Sequence, residues 1–246
     1  MTLPAIFDNL RLPLIGSPLF IVSGPELVIA QCKAGIVGSF PALNARPQSM
    51  LDEWLHQITE ELAAWNRDNP DKPAAPFAVN QIVHKSNDRL DQDMATCAKW
   101  KVPIVITSLG AIEDLNTAVK GWGGITLHDI INNRFAHKAI EKGATGLIPV
   151  AAGAGGHAGT LSPFALIVYS DLFTGVKGNY LRKSIEQAGL DPDNLPQGDY
   201  KTMDFGSGGN TEKKAWKDIW GCGQGIGLIN DVMSVQDMVD QFTAEY

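Results

Sequence analysis

Short apolar runs alternate with longer stretches of helical period along the first two thirds of the chain, the signature of βα units around a parallel sheet. Six runs read as strands, over residues 12–17, 36–40, 76–81, 103–108, 124–129 and 145–151. They are apolar nearly throughout instead of alternating, so each is expected to be covered on both faces. The helical face is clearest where Leu51, Trp54, Leu55, Ile58 and Leu62 recur at i, i+3, i+4, i+7 and i+11. Ser49 and Asp52 form a capping-box-like start to that helix, and Pro70 and Pro73 end it. Shorter helices are expected over 25–34, 87–100, 112–120 and 132–142, each with Pro, Asn or Gly near an end.

The C-terminal ends of these strands carry polar or glycine residues: Gly16-Ser17, Asn80-Gln81, Thr107-Ser108, His128-Asp129 and Gly153 to Gly156. In a parallel barrel that rim is where chemistry sits. The expected fold class is therefore α/β, a TIM-type (β/α) barrel, with six βα units visible where a closed barrel of this kind carries eight. After Ile167 the pattern changes. Residues 168–227 are rich in Gly, Asn, Asp and Pro and hold no clean apolar strand, so they read as a loop-rich cap subdomain with helices near 181–188 and 213–220. The division expected is a barrel over 1–167, the cap over 168–227, and a C-terminal helix within 228–246. That helix starts at Ser234, shows Val235, Met238, Val239 and Phe242 on one face, and is expected to pack on the barrel.

Composition narrows the function classes. Hydrophobic residues are 44% and charged residues 19% of the chain, an ordinary globular balance. The net charge is -7, and nothing concentrates Lys and Arg enough to release phosphate counterions, so no nucleic-acid partner is expected. Cys32, Cys97 and Cys222 build neither a disulfide framework nor a zinc spacing, which fits a reducing compartment and no metal. The apolar stretch 12–22 is broken by Pro13, Gly16 and Pro18 and lacks a basic leader, so neither signal peptide nor membrane span is expected. The expected location is the cytoplasm.

The strongest local signal is the run Ala151 to Thr160, a glycine-rich turn after the sixth strand that presents one histidine, His157. Glycines let a backbone approach a flat ligand closely, and an imidazole there can serve as a base near neutral pH. The plainer alternative is a solvated loop with an incidental histidine. His128 at the rim reads either as a cofactor contact or as a histidine satisfied within the barrel. His56 and His137 fall on helices as surface residues, and His84 is open to either reading. The run Gly221 to Gly227 imitates a dinucleotide fingerprint but has no preceding strand. It reads instead as a small-residue loop folding back over the site, with Gln224 its one side chain able to bond a flavin or phosphate, or as a plain helix end. Asn179, Tyr180 and Arg182 form a mixed aromatic and basic patch suited to a small anionic substrate, or a solvated loop around a packed tyrosine.

Four stretches carry a resemblance: Leu12 to Leu19, Phe77 to Gln81, His128-Asp129, and Gly153-Ala-Gly-Gly-His-Ala-Gly159, the last being the most specific. Through them the chain resembles the nitronate monooxygenases, formerly called 2-nitropropane dioxygenases, which are FMN-dependent barrel enzymes. The resemblance implies an FMN across the barrel mouth, with Gly16, Ser17 and Pro18 near the isoalloxazine and Asn80 near the ring. It sets His128 on the cofactor's inner side, and Ala152, Gly153, Gly155 and Gly156 along its edge. His157 matches the family's base, which takes the proton α to the nitro group; for a nitronate already formed the chemistry is electron transfer to FMN followed by oxygen. The expected activity is FMN-dependent oxidation of small alkyl nitronates, or nitroalkanes such as 3-nitropropionate or 2-nitropropane, with molecular oxygen. The chain departs from the family between Ile167 and Val168, where the family has its seventh and eighth βα units and the turns that bind the FMN phosphate. Six strands leave two sheet edges, which points either to residues omitted between Ile167 and Val168 or to completion by a partner chain, a homodimer being the partner considered. The alternatives are an FMN-dependent NAD(P)H:quinone or enoyl-thioester reductase of the same architecture and a non-catalytic degenerate barrel.

Overall fold

A computed structural model describes residues 4–131, 133–150, 154–157, 167–173, 176–198, 219–223, 229 and 231–245. Five parallel strands run side by side in chain order, β1 Gly38–Pro41, β2 Phe77–Ile82, β3 Ile104–Ser108, β4 Ile125–Ile130 and β5 Gly146–Pro149. Helices α1 Pro25–Ala34, α2 Met50–Asp68, α3 Leu90–Lys99, α4 Glu113–Gly121 and α5 Asn133–Glu141 alternate with them. Each of β1 to β4 is thus followed by a helix, as the sequence pattern predicts.

The expected first strand is reduced to a single parallel bridge, Ile15 to Val37. Gly16 N–H donates to Val37 O at 2.8 Å and Val37 N–H to Leu14 O at 3.0 Å. Pro13 and Pro18 flank this contact and have no N–H to give a ladder, which confines the pairing to the residues between them.

Successive side chains of a strand point to opposite faces. On one face Phe40, Phe77, Val79 and Val105 join Val28, Leu51, Leu55, Ile58 and Val119 of the helices in the larger core. On the other face Val37, Ala78, Ile104, Ile106 and Leu127 form an inner cluster with Ile15, Ile125 and Ile148, closed by Ile6, Phe7 and Leu10 of the N-terminal segment. Two-sided burial accounts for the unbroken apolar runs in the sequence. The expected capping box of α2 does not form: Ser49 makes no side-chain cap. Asp52 accepts instead from Lys99 Nζ at 2.6 Å and Trp100 Nε1 at 2.7 Å, tying α2 to the end of α3.

A second, antiparallel sheet occupies part of the stretch that reads as loops. Its strands are β6 Gly156–His157, β7 Ile167–Ser170 and β8 Gly178–Leu181, in the order β6-β8-β7. This corrects the expectation of no strand after Ile167. Gly178 and Asn179 are poor strand formers, and pairing on both edges, not local propensity, makes β8 extended. Ile167 and Val168, the point of departure from the resembled family, are consecutive residues of β7 paired with Leu181 and Tyr180. The short helix α6 Arg182–Gln187 follows, as expected, whereas residues 213–218 of the other cap helix lie outside the described residues.

The last helix, α7 Val235–Glu245, starts where expected, with Asp237 N–H donating to Ser234 Oγ. Val235 and Val239 pack with Leu12, Ala34 and Ile36 at α1, and Asp240 pairs with Arg11. No described helix is long and apolar enough to cross a membrane.

A buried ion pair ties the first two loops of the strand C-terminal rim together. Arg89, 5% exposed, donates to Ala45 O at 2.8 Å, Ala42 O at 3.3 Å and Asp93 Oδ1 at 3.1 Å, while Asp93 is fully buried. Burial pushes the Asp93 carboxyl up against the pull of Arg89. Breaking such a pair leaves a charge buried without its counter-ion. Asp93→Ala is expected to cost about 3 kcal/mol in urea unfolding, whereas a change under about 0.5 kcal/mol would show the pair to be dispensable.

Candidate functional site

Alternation along β2, β3 and β4 places three polar side chains one step beyond the inner apolar cluster. Asn80 follows Ala78 on the inner face, Ser108 follows Ile106, and Asp129 follows Leu127. They are linked. Asn80 Nδ2 donates to Ser108 Oγ at 2.8 Å and to Ile106 O at 3.2 Å, and Ser108 in turn favours the ionised form of the Asp129 carboxyl beside it. Burial raises the Asp129 carboxyl above its ordinary range, while Ser108, His128 and the Leu109 N–H pull the other way. Asn80 thus stands on the inner face at the C-terminal end of β2. Ser108 and Asp129 belong to the polar rim read from the sequence, which gives neither a role of its own; counting alternate residues back from Asp129 to Leu127 gives its side.

His128, expected on the cofactor's inner side, is on the other face of the sheet. It is 5% exposed and its Nδ1 lies 2.6 Å from Thr107 Oγ1. The same face carries Gln81, whose Nε2 donates to Cys97 Sγ on α3, which marks it as the helix side. Desolvation pushes the His128 pKa down, so the neutral imidazole is favoured. The period of two that brings Asp129 inward turns His128 outward.

Gly16 sits where the chain leaves its bridge to Val37, and Ser39 Oγ of β1 donates to its carbonyl. A β-carbon at Gly16 would run into the side-chain amide of Gln31. Ser17 and Pro18 continue the same turn, with Ser17 O accepting from Ser23 Oγ at 3.3 Å. Beside Gly16, the buried Gln31 Oε1 has no hydrogen-bond partner among the described residues.

The antiparallel sheet gathers another group. Gly156 pairs with Asn179 and His157 with Gly178, so the backbone of the glycine-framed histidine is part of a strand. Asn179 is fully buried, its Nδ2 donating to Ala154 O at 2.7 Å, and its Oδ1 has no partner among the described residues. Gly155 lies so close to Cys222 and Gly223 that a β-carbon there would come within 2.8 Å of Gly223 N, so only glycine fits. Cys222 N–H also donates to Asn179 O at 3.2 Å, and Tyr180 bridges to Gly221. The start of the 221–227 run, Gly221 to Gly223, therefore packs on the glycine loop. Tyr180 is buried edge-on against Phe173, 4.9 Å between centroids, in a core with Ile185 and Ile219. Arg182 is held by Asp193 through two hydrogen bonds, 3.0 and 2.8 Å, which holds its charge firmly. Ala152, Gly153 and Gln224 lie outside the described residues. His56 and His137 are exposed, as expected, and His84 bonds Ser86 Oγ at 2.9 Å.

An isoalloxazine ring presents carbonyl oxygens that need donors and one N–H that needs an acceptor, and the protein tunes it through such bonds. The orphaned acceptors Gln31 Oε1 beside Gly16 and Asn179 Oδ1 opposite Gly156 fit that N–H, at two of the expected contact positions. The residues present thus suit the ring. The phosphate turns have no counterpart at the expected place, because Ile167 and Val168 follow one another within β7.

No protein-family profile matches the chain, and no curated protein matches it. Solved structures do. Nitroalkane oxidase from Streptomyces ansochromogenes superposes with a TM-score of 0.71 at 16% identity, over 98% of this chain and 97% of that one. FabK from Thermotoga maritima superposes with a TM-score of 0.69 at 15% identity, over 100% of this chain and 96% of that one. The likeness is one of fold. Together with the parallel βα register it makes the chain a TIM-type (β/α) barrel protein.

The hydrogen-bonded row makes a checkable statement about charge. Ser108 favours the ionised form of Asp129, and removing its hydroxyl disfavours that form. Ser108→Ala is expected to move the Asp129 carboxyl pKa further up, read by carbon-13 NMR of the labelled carboxyl. A downward or absent shift would show that the hydroxyl does not serve the carboxylate.

Proposed function

We infer that the chain is an FMN-dependent oxidoreductase that oxidises small nitroalkanes or their nitronates with molecular oxygen. The observation that carries this reading is the pairing of Gly156 and His157 with Asn179 and Gly178, which gives the backbone of the glycine-framed histidine a fixed strand setting. The nitroalkane oxidase is among the structures of the same fold, and the sequence resemblance to nitronate monooxygenases rests on the same loop.

In this reading Gly16, Ser17, Pro18 and Asn80 border the isoalloxazine on the barrel side, and Ala152, Gly153, Gly155 and Gly156 border its edge. Gln31 and Asn179 offer acceptors, Gln224 a further polar contact, and Asn179 with Tyr180 the substrate side. His128 serves the barrel wall through Thr107. His157 takes the proton from the carbon α to the nitro group: the C–H bond breaks, an N–H bond forms on the imidazole, and the electron pair moves onto the nitro oxygens. FMN, when bound, supplies the redox chemistry that passes the substrate's electrons to oxygen. The small-residue packing of Gly155 on Cys222 and Gly223 keeps the loop close to its backing, which suits a flat ligand.

A reductase is the second reading, favoured by the equal likeness to FabK. The two separate cleanly. Protein supplemented with FMN is expected to show flavin absorbance between about 350 and 500 nm and to be reduced anaerobically by a nitroalkane; rapid reduction by NADH or NADPH instead selects the reductase. His157→Ala is expected to lower kcat/KM for a neutral nitroalkane by about a hundredfold, the range of a lost general base, and to affect the preformed nitronate far less. No flavin uptake, or a His157→Ala variant as active as the parent on the neutral substrate, sinks the proposal and leaves the non-catalytic barrel.

A further inference from the structure

Residues 16–24 lead from the bridge at Ile15 to the start of α1, and four large apolar side chains in a row stay exposed there: Leu19 36%, Phe20 41%, Ile21 41% and Val22 50%. Burial therefore does little to hold this turn. Its backbone is also unfavourable, because Ile21 takes φ 69°, the left-handed region that a β-branched residue rarely enters. Such a conformation persists only where its surroundings over-determine it.

The side chain of Asn44 meets this turn three times. Its Nδ2 donates to Leu19 O at 3.0 Å and to Ser23 O at 2.8 Å, and its Oδ1 accepts from Ile21 N–H at 3.2 Å. Both amide hydrogens and the carbonyl are thus spent on one turn. Asn44 is itself firmly placed: it ends the short helical turn Ala42–Asn44 after β1, and the carbonyls of Ala42 and Ala45 accept from the buried Arg89. From the clamped turn a path leads to the residues of the mouth. The hydroxyl of Ser23, 1% exposed, accepts from Leu19 N–H at 2.9 Å and donates to Ser17 O at 3.3 Å.

We propose that Asn44 is a positioning residue for the cofactor: by clamping the strained turn at Ile21 it sets the Gly16–Pro18 backbone against the isoalloxazine. This rests on the reading given under Proposed function, in which those three residues border the ring. Asn44 acts through Ser23 and Ser17 rather than on the ring itself. A turn already ordered in the free protein leaves less freedom for binding to remove, so loss of the clamp weakens binding without deleting a contact to the ligand.

Asn44→Ala removes all three bonds. The dissociation constant of FMN, read by flavin fluorescence, is expected to rise about tenfold, and a rise below about twofold overturns the proposal. Asn44→Asp keeps the size and the acceptor for Ile21 N–H but offers no donor to the two carbonyls, and is expected to show the same loss. A general loss of stability is separated by adding Ile21→Gly to Asn44→Ala. Glycine enters the left-handed region without strain, so the double variant is expected to recover about threefold of the lost affinity. A double variant as weak as Asn44→Ala overturns the proposal as well. A further arm uses the protein without FMN. Hydrogen exchange of Leu19 N–H and Gly16 N–H, bonded to Ser23 Oγ and Val37 O, is expected to quicken about tenfold in Asn44→Ala while Val79 in β2 stays as in the parent. Unchanged exchange at Leu19 shows that there is no clamp. If the parent protein takes up no FMN, the functional reading and the cofactor role fall together, and the exchange arm still decides whether Asn44 orders the turn.

Discussion

Everything in the barrel half follows from a parallel sheet that is buried on both faces. With helices on one side and the inner cluster on the other, each strand must supply apolar side chains in both directions, and its backbone must be satisfied by neighbouring strands. Polar residues are then pushed to strand ends, where one face still meets the mouth. Asn80, Ser108 and Asp129 occupy that position on three successive strands, and Asn80 donates across the sheet to Ser108. The site and the core are two heights of one arrangement.

The same constraint explains what the sequence made legible. Helix α1 spans the expected 25–34, and the five paired strands fall within two residues of their expected ends, because apolar runs bounded by Pro and Gly mark them directly. The barrel class was readable for the same reason. What the sequence does not display is which neighbour a given end faces. His128 and Asp129 are adjacent letters, and only the pleat tells that Asp129 is the one turned to the inner face. Asp52 likewise has the spacing of a cap, yet its carboxylate accepts from Lys99 and Trp100, far along the chain, instead of from its own helix.

The antiparallel sheet was the least legible part. Its middle strand, β8, contains glycine and asparagine, and its outer strand β6 has two residues. Neither carries a local signal. Their existence depends on each other and on β7, so nothing short of the three-way pairing reveals them. Asn179 illustrates the point: it was singled out for its chemistry as a loop residue, and it proves to be a fully buried strut between Ala154 and Cys222.

The contact between Gly155 and the backbone of Cys222 and Gly223 joins parts of the chain that are made far apart in time. During synthesis the five parallel strands and their helices emerge first and can begin to bury their apolar faces. The glycine loop leaves the ribosome soon afterwards, but its backing does not exist until residue 223 has been added. During the interval the segment that frames His157 can pair with β8 but lacks the backbone that Gly155 packs against. Assembly of that neighbourhood is thus a late, non-local closure, of the kind that folds slowly. A nascent chain stalled before Cys222 would carry a largely formed barrel sheet with an unfinished site.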